Sequence, residues 1–310
     1  MKKHLVILAI LIFNFGFSQN DSIIESELAI NKFIDGTLTT PVDLEHPNLV
    51  ILIQGSGPTD RNGNGFMMKN NGSKLIAKEL AENEIASYRF DKRIFKMNKL
   101  KIREEELSFE DFIQDVSDIL DYFKAQDKYK KIIVAGHSEG SLIGMLAAQN
   151  KADAFISLAG AGRSIDHIIV DQLAKQSPEL AENSENAFKE IKERGKTSNY
   201  NPLLQSVFRP SVQPFLKSWM KYNPTEEIAK LNIPVLIING SFDIQVDTTE
   251  ANLLAEANPN AKLVILDKMN HVFRKIEGDN LENTKAYNEP NRPLHPELIP
   301  ILVDFIKSVK

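Results

Sequence analysis

The chain has 310 residues, 42% of them apolar and 25% charged, with a formal charge of −5. This composition excludes a disordered or fibrous protein and is enough for a large core. The negative balance gives no general attraction for nucleic acid, and the absence of cysteine excludes disulfides, thiol nucleophiles, cysteine-borne lipids and cysteine metal sites.

The first residues, MKKHLVILAILIFNFGFSQ, join a basic start to an apolar run from Leu5 to Phe17 and the small residues Gly16 and Ser18. That is the pattern of a secretory signal peptide over residues 1–18, and the run is short of the about 20 residues that a membrane span needs. The expectation is an exported protein, periplasmic or secreted, that keeps no stable membrane association after the leader is removed. Loss of Lys2 and Lys3 takes the charge from −5 to −7.

Leu28 to Pro41 contains Asp35-Gly36, a turn signal, and predicts an antiparallel edge hairpin. Six apolar runs closed by turn formers then predict buried strands: Asn48 to Gly57, Ile85 to Arg93, Lys131 to Gly136, Asp153 to Gly160, Pro234 to Gly240 and Ala261 to Asp267. Between them, apolar positions spaced three and four apart predict helices over Ser73 to Glu82, Ser108 to Lys124, Glu139 to Gln149, Asp247 to Ala257 and Pro296 to Lys310. Alternating strands and helices predict an α/β fold with a mostly parallel central sheet flanked by helices. Ser164 to Leu231 is too long for one crossover and mainly helical in pattern, and reads as a helical cap inserted into one domain covering residues 19–310.

Gly136-His137-Ser138-Glu139-Gly140 fits G-x-S-x-G with a β-branched strand before it and a helical pattern after it. Ser138 is either a turn residue or a nucleophile, and the strand–turn–helix setting favours the nucleophile. A serine hydroxyl needs a base, and the base needs an acid to fix its tautomer. His271, in a loop just past the strand ending at Asp267, is favoured over His295 at the start of the last helix, because doubly wound folds place chemistry at the carboxyl ends of strands. Asp243, three residues beyond Gly240, is favoured as the acid over Asp267. The loop Gln54 to Gly65, QGSGPTDRNGNG, makes the Ser56 N–H a candidate oxyanion donor alongside that of Glu139. No phosphate-binding signature follows this loop, and Asp60 and Arg61 are expected to pair within it. No His/Glu cluster with metal-ligand spacing is apparent, so neither metal nor organic cofactor is expected.

Six segments resemble the α/β-hydrolase superfamily, and more narrowly bacterial esterases and serine-hydrolase-like proteins with a GSGPxDRxG loop: GSGPTDRNGN, YRFDKR, GHSEG, FRPSVQPFLKSWMKYNP, IPVLIINGSFDIQV and MNHVF. Together they span Gly55 to Phe273. The resemblance implies an α/β-hydrolase fold with a small helical cap, and Ser138, Asp243 and His271 as nucleophile, acid and base. Such proteins often continue DKR into a glycine-rich GxGKS turn, whereas this chain reads Arg93-Ile94-Phe95-Lys96-Met97, so no substrate contact is carried over to that loop.

The leading expectation is hydrolysis of carboxylic esters, small or glycan-linked, through an acyl-enzyme on Ser138. A peptidase or aminopeptidase using the same three residues, and a binding protein that has lost catalysis, are the alternatives. Phe208, Phe215, Trp219 and Tyr222 of the cap are candidates for an apolar wall against an acyl or aryl group, with packing of cap on core as the competing role. The first of these roles predicts that Trp219→Ala alters substrate preference more than stability.

Overall fold

The runs of apolar residues along the central strands divide between two cores with a period of two. In β3 (Asn48–Ile53), Leu49, Ile51 and Ile53 face one core while Val50 and Leu52 face the other. The same alternation holds in β5 (Ile132–His137), where Ile132 and Val134 oppose Ile133 and Ala135, and in β7 (Val235–Gly240). A strand apolar at every position is therefore one buried on both faces, which only a sheet sandwiched between helices provides.

The computed structural model describes residues 22–310; the expected leader, with His4, lies outside the described residues. With β1 (Ile23–Ala29), β2 (Asp35–Pro41), β4 (Ile85–Phe90), β6 (Ala154–Leu158) and β8 (Lys262–Leu266), the strands form one sheet in the order β1-β2-β4-β3-β5-β6-β7-β8. β1 and β2 are antiparallel and β2 joins β4 antiparallel; every other pair is parallel. This is the α/β-hydrolase fold.

Helices α1 (Gly72–Glu82) and α9 (Leu298–Ser308) cover one face. The other is covered by α2 (Phe109–Lys124), α3 (Glu139–Ala148) and α7 (Thr248–Ala257). Between β6 and β7 lie α4 (Ile165–Ala174), α5 (Pro178–Arg194) and α6 (Gln213–Trp219). They hold a small core of their own around Phe188, Ile191, Phe208 and Leu216, while Trp219 and Ile228 from the same segment join the main core.

The edge hairpin is present, but Asp35-Gly36 is not its turn. The chain reverses over Asn31 to Phe33, where the Asn31 carboxamide accepts from the amides of Phe33 (2.8 Å) and Ile34 (3.2 Å). Gly36 lies inside β2 because the Tyr88 ring packs flat on it; a methyl group there would fall 2.3 Å from that ring. A second short helix, α8 (Asn280–Ala286), was not predicted.

Candidate active site

Ser138 links β5 to α3 with φ 54° and ψ −120°, a strained conformation for a side chain bearing Cβ. The strain is imposed by packing. A methyl group at Gly136 would fall 2.1 Å from the Gly140 carbonyl, and one at Gly140 would fall 2.7 Å from the carbonyls of Ile53 and Gln54. Glycine on both flanks is thus what allows β5, α3 and the end of β3 to meet at this corner. The corner is held by Ser138 N–H donating to the Leu158 carbonyl (2.9 Å) and by the Ser141 amide donating to the Ser138 carbonyl (2.9 Å).

Asp243 sits in the loop after β7. Its Oδ1 accepts from the amides of Gln245 (2.8 Å) and Val246 (2.9 Å), which leaves Oδ2 to accept from His271 Nδ1 at 2.7 Å. His271 is 3% exposed, and with Nδ1 bonded to the carboxylate it lines a cavity of about 100 Å³ together with Ser138, Gly55 and Ser56. The loop carrying His271 is built on Asn270, whose side-chain oxygen accepts from the Val272 and Arg274 amides at 3.2 and 2.8 Å. Asn270 also donates to Asn283 of α8 (3.0 Å), and Asn283 donates to the Phe242 carbonyl (2.8 Å). The unpredicted helix therefore ties the loop of His271 to the loop of Asp243.

His137, immediately before Ser138, has a structural part that sequence reading passed over. Its Nε2 donates to the His271 carbonyl at 3.0 Å, and the two rings lie 4.6 Å apart. Burial, with the His271 ring adding to it, pushes His137 down to about 3, so its ring is neutral in the folded protein. The rival candidates are placed elsewhere: His295 donates to the Asp267 carbonyl (2.9 Å), and the Asp267 carboxylate accepts from Ser241 (3.2 Å).

The loop Gln54 to Gly65 runs beside Ser138, so close that a methyl group at Gly55 would lie 3.2 Å from Ser138 Cβ. The amides of Ser56 and Glu139 both flank the nucleophile candidate, and among the described residues neither donates to another protein group. The expected Asp60–Arg61 pair does not form. Asp60 accepts from the amides of Asn62 (2.8 Å) and Asn64 (2.9 Å), while Arg61 reaches Asp91 at 2.7 Å and Glu27. Neighbouring side chains diverge, whereas Asp91 faces Arg61 from the end of β4.

Two adjoining apolar cavities open from Ser56 and Glu139 beneath the cap. One, about 320 Å³, is lined by Ser138, Leu142, Ile165, Ile168, Val207 and Trp219. The other, about 380 Å³, is lined by Leu107, Phe112, Val207, Phe215, Leu216 and Trp219. Ile94 of the loop after Arg93 also reaches the second, while Arg93 itself is fixed to α2 by Asp111 and Asp115, each at 2.7 Å. Of the four cap aromatics, Trp219 and Phe215 line these cavities. Phe208 does not, because it is fully buried in the cap core against Phe188, and Tyr222 does not, because it turns to Phe109 and to Glu110. Among the described residues there is no group of three or more His, Asp or Glu side chains that could hold a metal ion.

Residues 64–274 match the family model described as Hydrolase_4, serine aminopeptidase, S33. No curated protein matches the chain. Among solved structures it is similar to Est1E from Butyrivibrio proteoclasticus, at 17% identity over 92% of this chain and 99% of that one, with a TM-score of 0.57. It is also similar to an esterase from Pyrococcus furiosus (15% identity, 93% and 91% covered, TM-score 0.56) and to a dienelactone hydrolase from Anabaena variabilis (12% identity, 93% and 99% covered, TM-score 0.52). At these identities the likeness is one of fold.

Proposed function

We propose that this chain, which belongs to the Hydrolase_4 family of serine aminopeptidases (S33) and is a serine hydrolase of the α/β-hydrolase type, cleaves carboxylic esters through an acyl-enzyme on Ser138. Ser138 Oγ attacks the acyl carbon as His271 Nε2 takes its proton. The oxyanion accepts from the amides of Ser56 and Glu139, the second at the amino end of α3, where the helix dipole adds to the attraction. The imidazolium, held by Asp243, then gives its proton to the leaving alcohol. A water activated by His271 releases the acid and restores Ser138.

The observation that carries esters over free-amine peptides is the charge of the walls. An aminopeptidase needs an unpaired carboxylate to receive the substrate ammonium. Among the described residues, the carboxylates lining the three cavities are Glu139 and Glu104, and each is already paired, with Lys92 (2.8 Å) and Arg209 respectively. The two cavities beneath the cap are otherwise largely aliphatic and aromatic, suited to an acyl chain or an aryl group. The esterases among its structural neighbours agree with this reading. We place the protein outside the cytoplasm on its leader pattern, a proposal that amino-terminal sequencing of the exported form tests.

Intact-mass measurement after a fluorophosphonate probe should show one adduct that vanishes in Ser138→Ala. Turnover of p-nitrophenyl acetate, butyrate and octanoate should exceed that of aminoacyl p-nitroanilides. Labelling with turnover of the anilides alone would replace the ester reading with the peptidase one. A folded wild type that takes no label would leave Ser138 as a turn residue.

A further inference from the structure

Lys92 is 3% exposed, at the end of β4, and takes no part in the mechanism above. Its ammonium makes two hydrogen bonds, to the Gly55 carbonyl at 2.7 Å and to Glu139 Oε1 at 2.8 Å, and lies 5.2 Å above the Phe112 ring. Three segments distant in sequence converge on it, and two of them carry the candidate oxyanion donors.

From this geometry we infer that Lys92 is the positioning residue of the oxyanion hole, a role that rests on the hydrolase reading above. The Gly55 carbonyl and the Ser56 N–H belong to one planar trans peptide, in which C=O and N–H point in opposite directions. Holding the oxygen therefore aims the N–H. A cationic donor on that oxygen also polarises the amide and makes its N–H a stronger donor. On the other side, Lys92 holds the side chain of Glu139, whose own amide is the second donor. One ammonium thus fixes both donors relative to each other, on a loop and a helix that no shared strand joins.

Charge supplies a second reason. Glu139 carries a buried carboxylate beside the place where negative charge develops, and left alone it would oppose the oxyanion. Paired with Lys92 it is neutralised, and the ammonium leaves the corner without net negative charge.

The role has to be separated from plain stabilisation, since removing one member of a buried pair strands the other. Lys92→Met would leave Glu139 unpaired and is expected to lower both stability and activity. In Lys92→Met/Glu139→Gln the unpaired charge is gone while the grip on the Gly55 carbonyl is still missing. The double variant is expected to recover most of the wild-type urea midpoint. On p-nitrophenyl butyrate its kcat should stay ten- to a hundredfold below wild type with KM within about twofold, somewhat less than the loss of a whole oxyanion donor, and fluorophosphonate labelling should slow in parallel. A double variant that labels and turns over within about threefold of wild type would overturn the inference and leave Lys92 a charge partner only. If it does not fold, Lys92→Gln, which keeps a shorter donor beside Glu139, is expected to show the same fall in kcat at nearly unchanged KM, and a kcat near wild type overturns the inference. Failure of the wild type itself to label sinks the hydrolase reading, and the role of Lys92 with it.

Discussion

His137 makes the stability of this protein dependent on pH in a way that can be isolated. The ring is partly buried, its Nε2 donates to the His271 carbonyl, and loss of solvent pushes it down to about 3 from an ordinary value of 6.5. Unfolding releases it to bind a proton below pH 6.5. The unfolded state then holds more protons than the folded one, and stability falls as the pH falls from about 6.5 towards 3. At pH 4.5, two units below the unfolded value, the cost is about 2.7 kcal/mol relative to pH 8, at about 1.4 kcal/mol per unit. Replacing His137 by Gln keeps a donor that can reach the same carbonyl and removes the titration. Urea unfolding of the two proteins at pH 8 and pH 4.5 gives the test, because the titrating groups that do not touch His137 cancel in the difference. Wild type is expected to lose about 2.7 kcal/mol more than His137→Gln over that interval. Parallel loss in both would show that His137 is not kept neutral by the fold. In the proposed mechanism the same neutrality matters, since a charged ring 4.6 Å from His271 would oppose an imidazolium on His271.

Trp219 lines both cap cavities and also stacks on Phe109 at 5.3 Å within the main core, so Trp219→Ala is expected to cost about 3–5 kcal/mol in urea unfolding as well as to shift preference among acyl chain lengths. This revises the expectation that preference changes more than stability, and a variant with wild-type stability would refute it. Asn283→Leu removes the link between the loops of His271 and Asp243 and leaves Asn270 without that acceptor, so it is expected to cost about 1–3 kcal/mol in chemical unfolding. Its ester kcat should also fall, by about tenfold at nearly unchanged KM if the link orients the base, a loss in the range set by outer-shell partners elsewhere.

What could be read from the sequence and what could not follow from the range over which each feature is determined. The central strands were legible because burial on both faces demands an unbroken apolar run, and that demand is written locally in segments such as Ile132 to Ala135. Ser138 was legible because the packing of β5, α3 and β3 demands Gly136 and Gly140, a pattern five residues long. His271 and Asp243 were singled out by their place after strand ends, and the structure joins them at 2.7 Å. The features that escaped are those settled by partners far away in the chain. Asp35-Gly36 has the chemistry of a turn, but the ring of Tyr88 decides its place in a strand. The residues of α8 are mostly polar and give no apolar stripe; the helix matters through Asn283, which meets Asn270 and Phe242 only in the folded chain. The apolar run predicts one buried strand from Ile85 to Arg93, whereas β4 ends at Phe90 and Asp91, Lys92 and Arg93 reach Arg61, Glu139 and Asp115, respectively 30, 47 and 22 residues away. A buried cation is tolerated only when partners surround it, so three successive charges at the end of a wholly buried strand are themselves a signal that such partners converge there. In this fold the end of that strand is also where the substrate is to be met, and the same convergence that buries Lys92 brings it to the two amides beside Ser138.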